Sequence, residues 1–224
     1  MHTDGEKSVR QLAVDLLSRA SVHQRYIVGI AGPPAAGKST LAAELVDALN
    51  ADDPGLAAVA PMDGFHLTSS VLASAGALHR KGEPDTFDVA GFVTRLKELR
   101  DTPLGGRVPW PTFDRVLKDP TPAGTVFTSQ RIAVVEGNYL LLDQPGWREV
   151  RGLLDTVWYL DATDAVIEPR LRQRHSTDGK SADATENKIA RSDLANARLI
   201  ARSRSRADLR LRERNGSYLI EELH

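Results

Sequence analysis

The sequence contains no cysteine, two methionines and few rings, with aromatic residues at 5% of its 224 positions. Without cysteine there is no disulfide, thiolate nucleophile or cysteine-ligated zinc, and the chain fits a reducing compartment. No run approaches the roughly 18 consecutive apolar residues that span a bilayer. The opening MHTDGEKSVR lacks the apolar core of a secretory signal, so a cytoplasmic location is expected. Charge of one sign is also lacking: 29 Lys and Arg stand against 30 Asp and Glu, a net charge of −1. Nothing in that balance draws the chain as a whole to nucleic acid or to an anionic membrane, and neither is expected as a partner.

What is there suits a packed core. The charged fraction is 26% and the hydrophobic fraction 41%, and the length is enough for one α/β domain spanning residues 1–224. Apolar residues of 7–20 recur at helical steps. YIVGIAG (26–32), LAAVAPMD (56–63), RIAVVEG (131–137) and TVWYLDA (156–162) read as buried strands. Helical spacing returns at 38–49 and at 88–101, where Asp88 is placed as a cap. This alternation predicts a doubly wound parallel sheet flanked by helices, with ligands outside the carboxyl ends of the strands. Residues 64–86 and 104–127 read as long polar insertions, which tend to carry function. Arginines gather between Arg170 and Arg214; composition alone favours a solvated helix face for them over phosphate contacts.

The chemistry begins at Gly32-Pro33-Pro34-Ala35-Ala36-Gly37-Lys38-Ser39, a full G-x-x-x-x-G-K-[ST] match between a strand and a helix. Glycines turn backbone N–H groups toward phosphate oxygens, the helix N-terminus adds positive potential, and Lys38 reaches the β- and γ-phosphates. The nucleotide contacts expected are Gly32, Pro33, Ala35, Ala36, Gly37, Lys38, Ser39 and Thr40, with Ser39 on Mg²⁺. Asp63 ends the second strand, where a carboxylate can take the proton of an alcohol, or can equally serve as a turn residue before Gly64. His66 is a weaker candidate. Glu136 ends a hydrophobic strand in the manner of a Mg²⁺-holding carboxylate. Asp161 also ends a strand and reads as structural.

GPPAAGKST, MDGFH, KGEPDTFD, VPWPTFDR, VVEGNYLLL and SRSRADL, in that order, resemble the uridine kinase, phosphoribulokinase and pantothenate kinase family of P-loop small-molecule kinases. MDGFH and KGEPDTFD are most similar to the pantothenate kinase branch and its bacterial nucleoside, nucleotide or sugar kinase relatives. The resemblance implies a P-loop fold with an arginine-bearing lid, ATP and Mg²⁺ as cofactors, and a small-molecule acceptor. It implies that Asp63 is the catalytic aspartate, that Ser39 and Glu136 are Mg²⁺-associated, and that Arg170 and Arg174 act from the lid. His66, Asp114 and Arg115 fall where acceptor contacts are expected. Phe113 and Arg115 stand where pantothenate kinases carry Tyr and His, and MDGFH stands where uridine kinases carry D-x-F-Y, which turns the reading away from pantothenate and from nucleosides.

The activity expected is therefore transfer of the γ-phosphoryl group of ATP to a hydroxyl of a sugar, sugar acid, pantothenate-like alcohol or nucleoside. A regulatory ATPase acting on a protein partner is the rival from another class. The only Asn-Lys pair continues as NKIA (187–190), not as a guanine-reading N-K-x-D, and no transporter L-S-G-G-Q occurs. A nucleotide-binding regulator with a degenerate acceptor site is the third reading. A homodimer is expected only because two-fold assemblies are common.

Overall fold

The computed structural model describes residues 3–177 and 181–222; the ends of the 1–224 domain expected from the sequence lie outside the described residues. Along the chain run β1 (Thr3–Lys7), α1 (Val9–Arg19), β2 (Tyr26–Ala31), α2 (Lys38–Asn50), β3 (Ala57–Pro61), α3 (Ser69–Ser74) and α4 (Val89–Asp101). They are followed by β4 (Val108–Asp114), β5 (Asp119–Phe127), β6 (Ile132–Gly137), β7 (Thr156–Asp161) and α5 (Asp164–Thr177). The last elements are α6 (Ala182–Lys188), α7 (Leu194–Ala201), β8 (Leu209–Arg214) and β9 (Ser217–Glu222). Local chemistry sets several boundaries. Ser8 and Gln11 form a reciprocal capping box at α1, and the Asp88 carboxylate accepts from the Gly91 N–H to cap α4, as expected.

The seven-stranded sheet has the order β1-β9-β8-β7-β2-β6-β3. β3, β6, β2, β7 and β8 run parallel, while β9 is antiparallel to both of its neighbours. The parallel, doubly wound architecture is thus present, with an antiparallel margin that the sequence reading did not anticipate. Period-two alternation divides the core between the two faces. On β6, Ile132 and Val134 pack with α1 and α2, and Ala133 and Val135 pack with α4 and Trp110 on the other side.

Two expectations need correction. Residues 104–127 are not one long loop, since β4 and β5 pair antiparallel there as a separate two-stranded sheet. Pro109, Pro111, Pro120 and Pro122 are tolerated because each strand of such a ribbon is an edge that needs ladder donors on one side only. The arginines of LRLRER do not coat a helix; they alternate along β8, where Arg210 and Arg212 bond the Asp161 carboxylate at 2.5 and 3.1 Å. Asp161 is structural, as read.

Arg25 ties these parts together. Its buried guanidinium donates to the carbonyls of Leu99 (2.6 Å), Thr102 (3.2 Å), Thr128 (2.9 Å) and Gln130 (3.0 Å), joining the end of α4 to the segment that enters β6. No helix among the described residues is long and apolar enough to cross a membrane.

Candidate active site

β2 delivers the chain to Gly32 against the end of β7. A Cβ at Gly32 would run into the Leu160 carbonyl oxygen, so only glycine fits there. Gly37 has φ +105° and precedes α2, and no side chain caps that helix, which leaves its first N–H groups to an anion. Lys38 opens α2 almost fully buried, its ammonium 2.8 Å from the Pro33 carbonyl and 2.8 Å from the Asn138 amide oxygen. Burial pulls its pKa down to about 8, against the opposing attraction of Glu136 and Asp63.

Glu136 ends β6, in register with Ile30 of β2 and Pro61 of β3, and so faces the loop from the next strand. It is 7% exposed. Burial and the neighbouring Asp63 carboxylate push its pKa up to about 7, while Lys38, the Ser39 hydroxyl and Arg115 pull the other way. Asp63 lies one turn beyond β3, in the short 3-10 helix Met62–Phe65, rather than on the strand itself. β4 clamps that turn. A Cβ at Gly64 would meet the Pro111 carbonyl oxygen, and the Trp110 indole N–H donates to the Pro61 carbonyl at 3.0 Å. The Asp63 side chain keeps a third of its surface open.

His66 follows on the same turn. Its Nδ1 is 2.8 Å from the Asp63 backbone oxygen and 4.0 Å from the carboxylate, and its ring packs 4.0 Å from Phe87 and 4.8 Å from Phe113. Burial lowers its pKa. Lys81 places its ammonium 5.4 Å from the centre of the Phe113 ring and 2.7 Å from Asp119.

The far wall is helical. Arg170 on α5 donates to the Ala35 and Ala36 carbonyls at 3.3 and 3.2 Å, and Arg174, one turn further on, acts electrostatically on Lys38 and His66. His175 pairs with Asp193 at 2.7 Å, tying α5 to the π-helical turn Ile189–Asp193 between α6 and α7.

Most of these groups line one cavity of about 1440 Å³. It exceeds the roughly 300–1,000 Å³ usual for a single small ligand and has room for two. Of the site residues expected from the sequence, it gathers Ala35, Ala36, Gly37, Lys38, Ser39, Thr40, Asp63, His66, Arg115, Glu136, Arg170 and Arg174. Gly32 and Pro33 shape the loop without lining the cavity. Asp114 does not reach it either: its carboxylate accepts the N–H groups of Val116 and Leu117 at 2.7 and 2.9 Å and closes the β4–β5 turn. Asn138, Lys81 and Lys188 also line the cavity and were not singled out from sequence. Asn138 and Lys81 lie within the quoted VVEGNYLLL and KGEPDTFD, so a signal for them existed.

Among the described residues no three His, Cys, Asp or Glu side chains gather as a metal site on their own. Ser39 and Glu136, close together beside Asp63, form a hard-oxygen set that suits a divalent cation shared with phosphates.

Residues 27–216 match the model of the phosphoribulokinase/uridine kinase family. The chain belongs to that family. It is 33% identical over 214 residues to a uridine kinase-like protein of Schizosaccharomyces pombe, covering 90% of this chain and 87% of the relative. With the ATP-dependent kinase YFH7 of Zygosaccharomyces rouxii it shares 35% identity over 187 residues, which are 68% of this chain and 50% of that one, so it spans about half the length of that relative. A crystallised protein from Silicibacter sp. TM1040, assigned as a fructose transport system kinase, superimposes with a TM-score of 0.82 at 39% identity, covering 91% of this chain and 98% of the other. The chain is thus a kinase of the phosphoribulokinase/uridine kinase family, with the ATP-using P-loop fold of its relatives.

Proposed function

We propose that this phosphoribulokinase/uridine kinase family member transfers the γ-phosphoryl group of ATP to a hydroxyl of a small metabolite, with Asp63 as the base. The observation that carries this reading is the position of Asp63. It stands between the Lys38–Ser39–Glu136 cluster and the His66–Phe87–Phe113 wall, partly open to the cavity and electrostatically coupled to both. An acceptor against that wall presents its hydroxyl to Asp63 and its oxygen to the γ-phosphorus.

Asp63 takes the hydroxyl proton as the acceptor oxygen bonds to the γ-phosphorus. The bond from that phosphorus to the β,γ-bridging oxygen breaks, and ADP leaves with the electron pair. Lys38 and Arg174 offset the charge on the transferred group. Arg170, fixed to the P-loop carbonyls, holds the lid helix over the nucleotide. Ser39 and Glu136 would hold Mg²⁺, which would supply charge neutralisation at the phosphates. An acceptor seated against the aromatic wall would displace water from beside Asp63, which favours transfer over hydrolysis.

ADP release from Mg·ATP, measured with sugars, sugar acids, nucleosides and pantothenate in turn, tests the reading. Stimulation by one acceptor class supports it. Hydrolysis that no acceptor stimulates contradicts it and favours a regulatory ATPase.

A further inference from the structure

The cavity has two chemically different ends. At one, Arg170 on α5 meets Glu213 of β8 at 3.9 Å, and Tyr218 of β9 lies in the field of Glu44, Glu213 and Arg170. At the other, beyond Asp63, the lining is His66, Phe87 and Phe113 together with cations contributed by three separate stretches of chain. Lys81 comes from the loop after α3, Arg115 from the turn of the β4–β5 hairpin, and Lys188 from the end of α6. The Lys188 ammonium donates to the Lys81 carbonyl at 3.3 Å and the Lys81 ammonium lies over Phe113, so the three stretches meet at one place.

The acids at this end are already engaged. Asp119 bonds Lys81 at 2.7 Å and Asp193 bonds His175 at 2.7 Å. Among the described residues, neither Arg115 nor Lys188 has a carboxylate within ion-pairing distance; Lys188 donates to the Ser192 hydroxyl at 3.2 Å, and Arg115 acts on Glu136 only through the field. In the kinase reading the phosphates fall to the P-loop amides, Lys38 and Arg174, with Arg170 held on the P-loop carbonyls, so neither Arg115 nor Lys188 is assigned to the nucleotide. Cations converging from separate segments on one end of a cavity, with their potential acid partners committed, suit an anion that arrives with the second ligand.

We propose that the acceptor is a hydroxylated anion, bearing a carboxylate or a phosphate ester besides the hydroxyl that is phosphorylated, and that Arg115 and Lys188 recognise this anion while Phe113 packs on its carbon skeleton. This rests on the kinase reading of the same site. It makes neutral sugars and nucleosides poor acceptors.

The test is a matched series in the Mg·ATP-dependent ADP-release assay: glycerol, glycerate and glycerol 3-phosphate, with glucose, gluconate and glucose 6-phosphate beside them and uridine as a neutral nucleoside. Charged members are expected to exceed their neutral partner by about tenfold or more in kcat/KM, the worth of one charge-assisted pair. Stimulation by carboxylates alone names a hydroxy acid, and by phosphates alone a phosphate ester. Arg115→Gln and Lys188→Gln are each expected to lower kcat/KM for the charged acceptor about tenfold, while the KM for ATP moves less than about twofold. Both are surface or half-buried cations whose loss leaves the core intact, and a circular dichroism melt checks that. Neutral acceptors used as well as their charged partners would overturn the proposal and leave the kinase standing. Charged acceptors used undiminished by both variants would overturn the assignment to Arg115 and Lys188. No stimulation by any compound would remove the proposal and the kinase reading together.

Discussion

The Lys38 ammonium rests 2.8 Å from the amide oxygen of Asn138, a hundred residues further along the chain at the end of β6. The P-loop lysine is therefore held by two neutral oxygens, those of Asn138 and Pro33.

Asn138→Ala removes one of those partners from a buried charge. It is expected to destabilise the nucleotide-free protein by about 1–3 kcal/mol, the cost of a lost hydrogen bond to a charged group. Saturating Mg·ATP is expected to recover most of that loss, because phosphates supply new partners. Thermal melts of both proteins with and without Mg·ATP check this. A deficit that persists unchanged with nucleotide would contradict it.

Lys38→Met removes the buried charge and keeps most of the side-chain volume. Since burial already penalises the ammonium, the nucleotide-free variant is expected to melt at or above the wild-type temperature. ATP affinity is expected to fall by about tenfold or more with loss of a charged phosphate contact. Calorimetric titration and melting temperature, read together, separate this outcome from simple misfolding.

Glu136 gives the nucleotide-free protein a pH-dependent stability. Its pKa is raised from an ordinary 4.5 to about 7, so the native state holds a proton that the unfolded chain releases. The stabilisation is present below about pH 4.5 and is lost as pH rises through about 7. Lys38 behaves differently: lowered from 10.5 to about 8, it penalises the fold below about pH 8, and that penalty is relieved between about pH 8 and 10.5. Glu136→Gln is expected to flatten the decline between about pH 5 and 7. Denaturant midpoints across that range measure it, and identical slopes in the two proteins would count against it.

Arg25→Met leaves carbonyls of Leu99, Thr102, Thr128 and Gln130 without the donors they now have. A loss of about 3 kcal/mol or more is expected from breaking such a buried charged network. Urea unfolding measures it, and a change below about 1 kcal/mol would show that water satisfies those carbonyls.

The parts of this architecture legible in the sequence were those whose signal is local. The P-loop is one contiguous stretch, the buried strands at 26–31, 132–137 and 156–161 are short apolar runs, and Asp88 announces α4 by standing before an amphipathic segment. The β4–β5 hairpin was hidden by its prolines, which weaken any strand pattern unless the strand is known to be an edge. β8 was hidden by its arginines, although Leu209 and Leu211 alternate with them at the strand period. Long-range partners had no local signature. Nothing around Arg25 points to carbonyls 74 to 105 residues away, and nothing around Asp114 shows that its carboxylate is spent on the turn that follows it.

The most direct test of the central claim is single-turnover phosphoryl transfer by Asp63→Asn, with ATP affinity measured on the same preparation. Loss of a positioned general base is expected to slow transfer by about 10²–10⁴-fold while the Kd for Mg·ATP changes by less than about threefold. Transfer within about threefold of wild type, with ATP binding intact, would show that Asp63 is not the base.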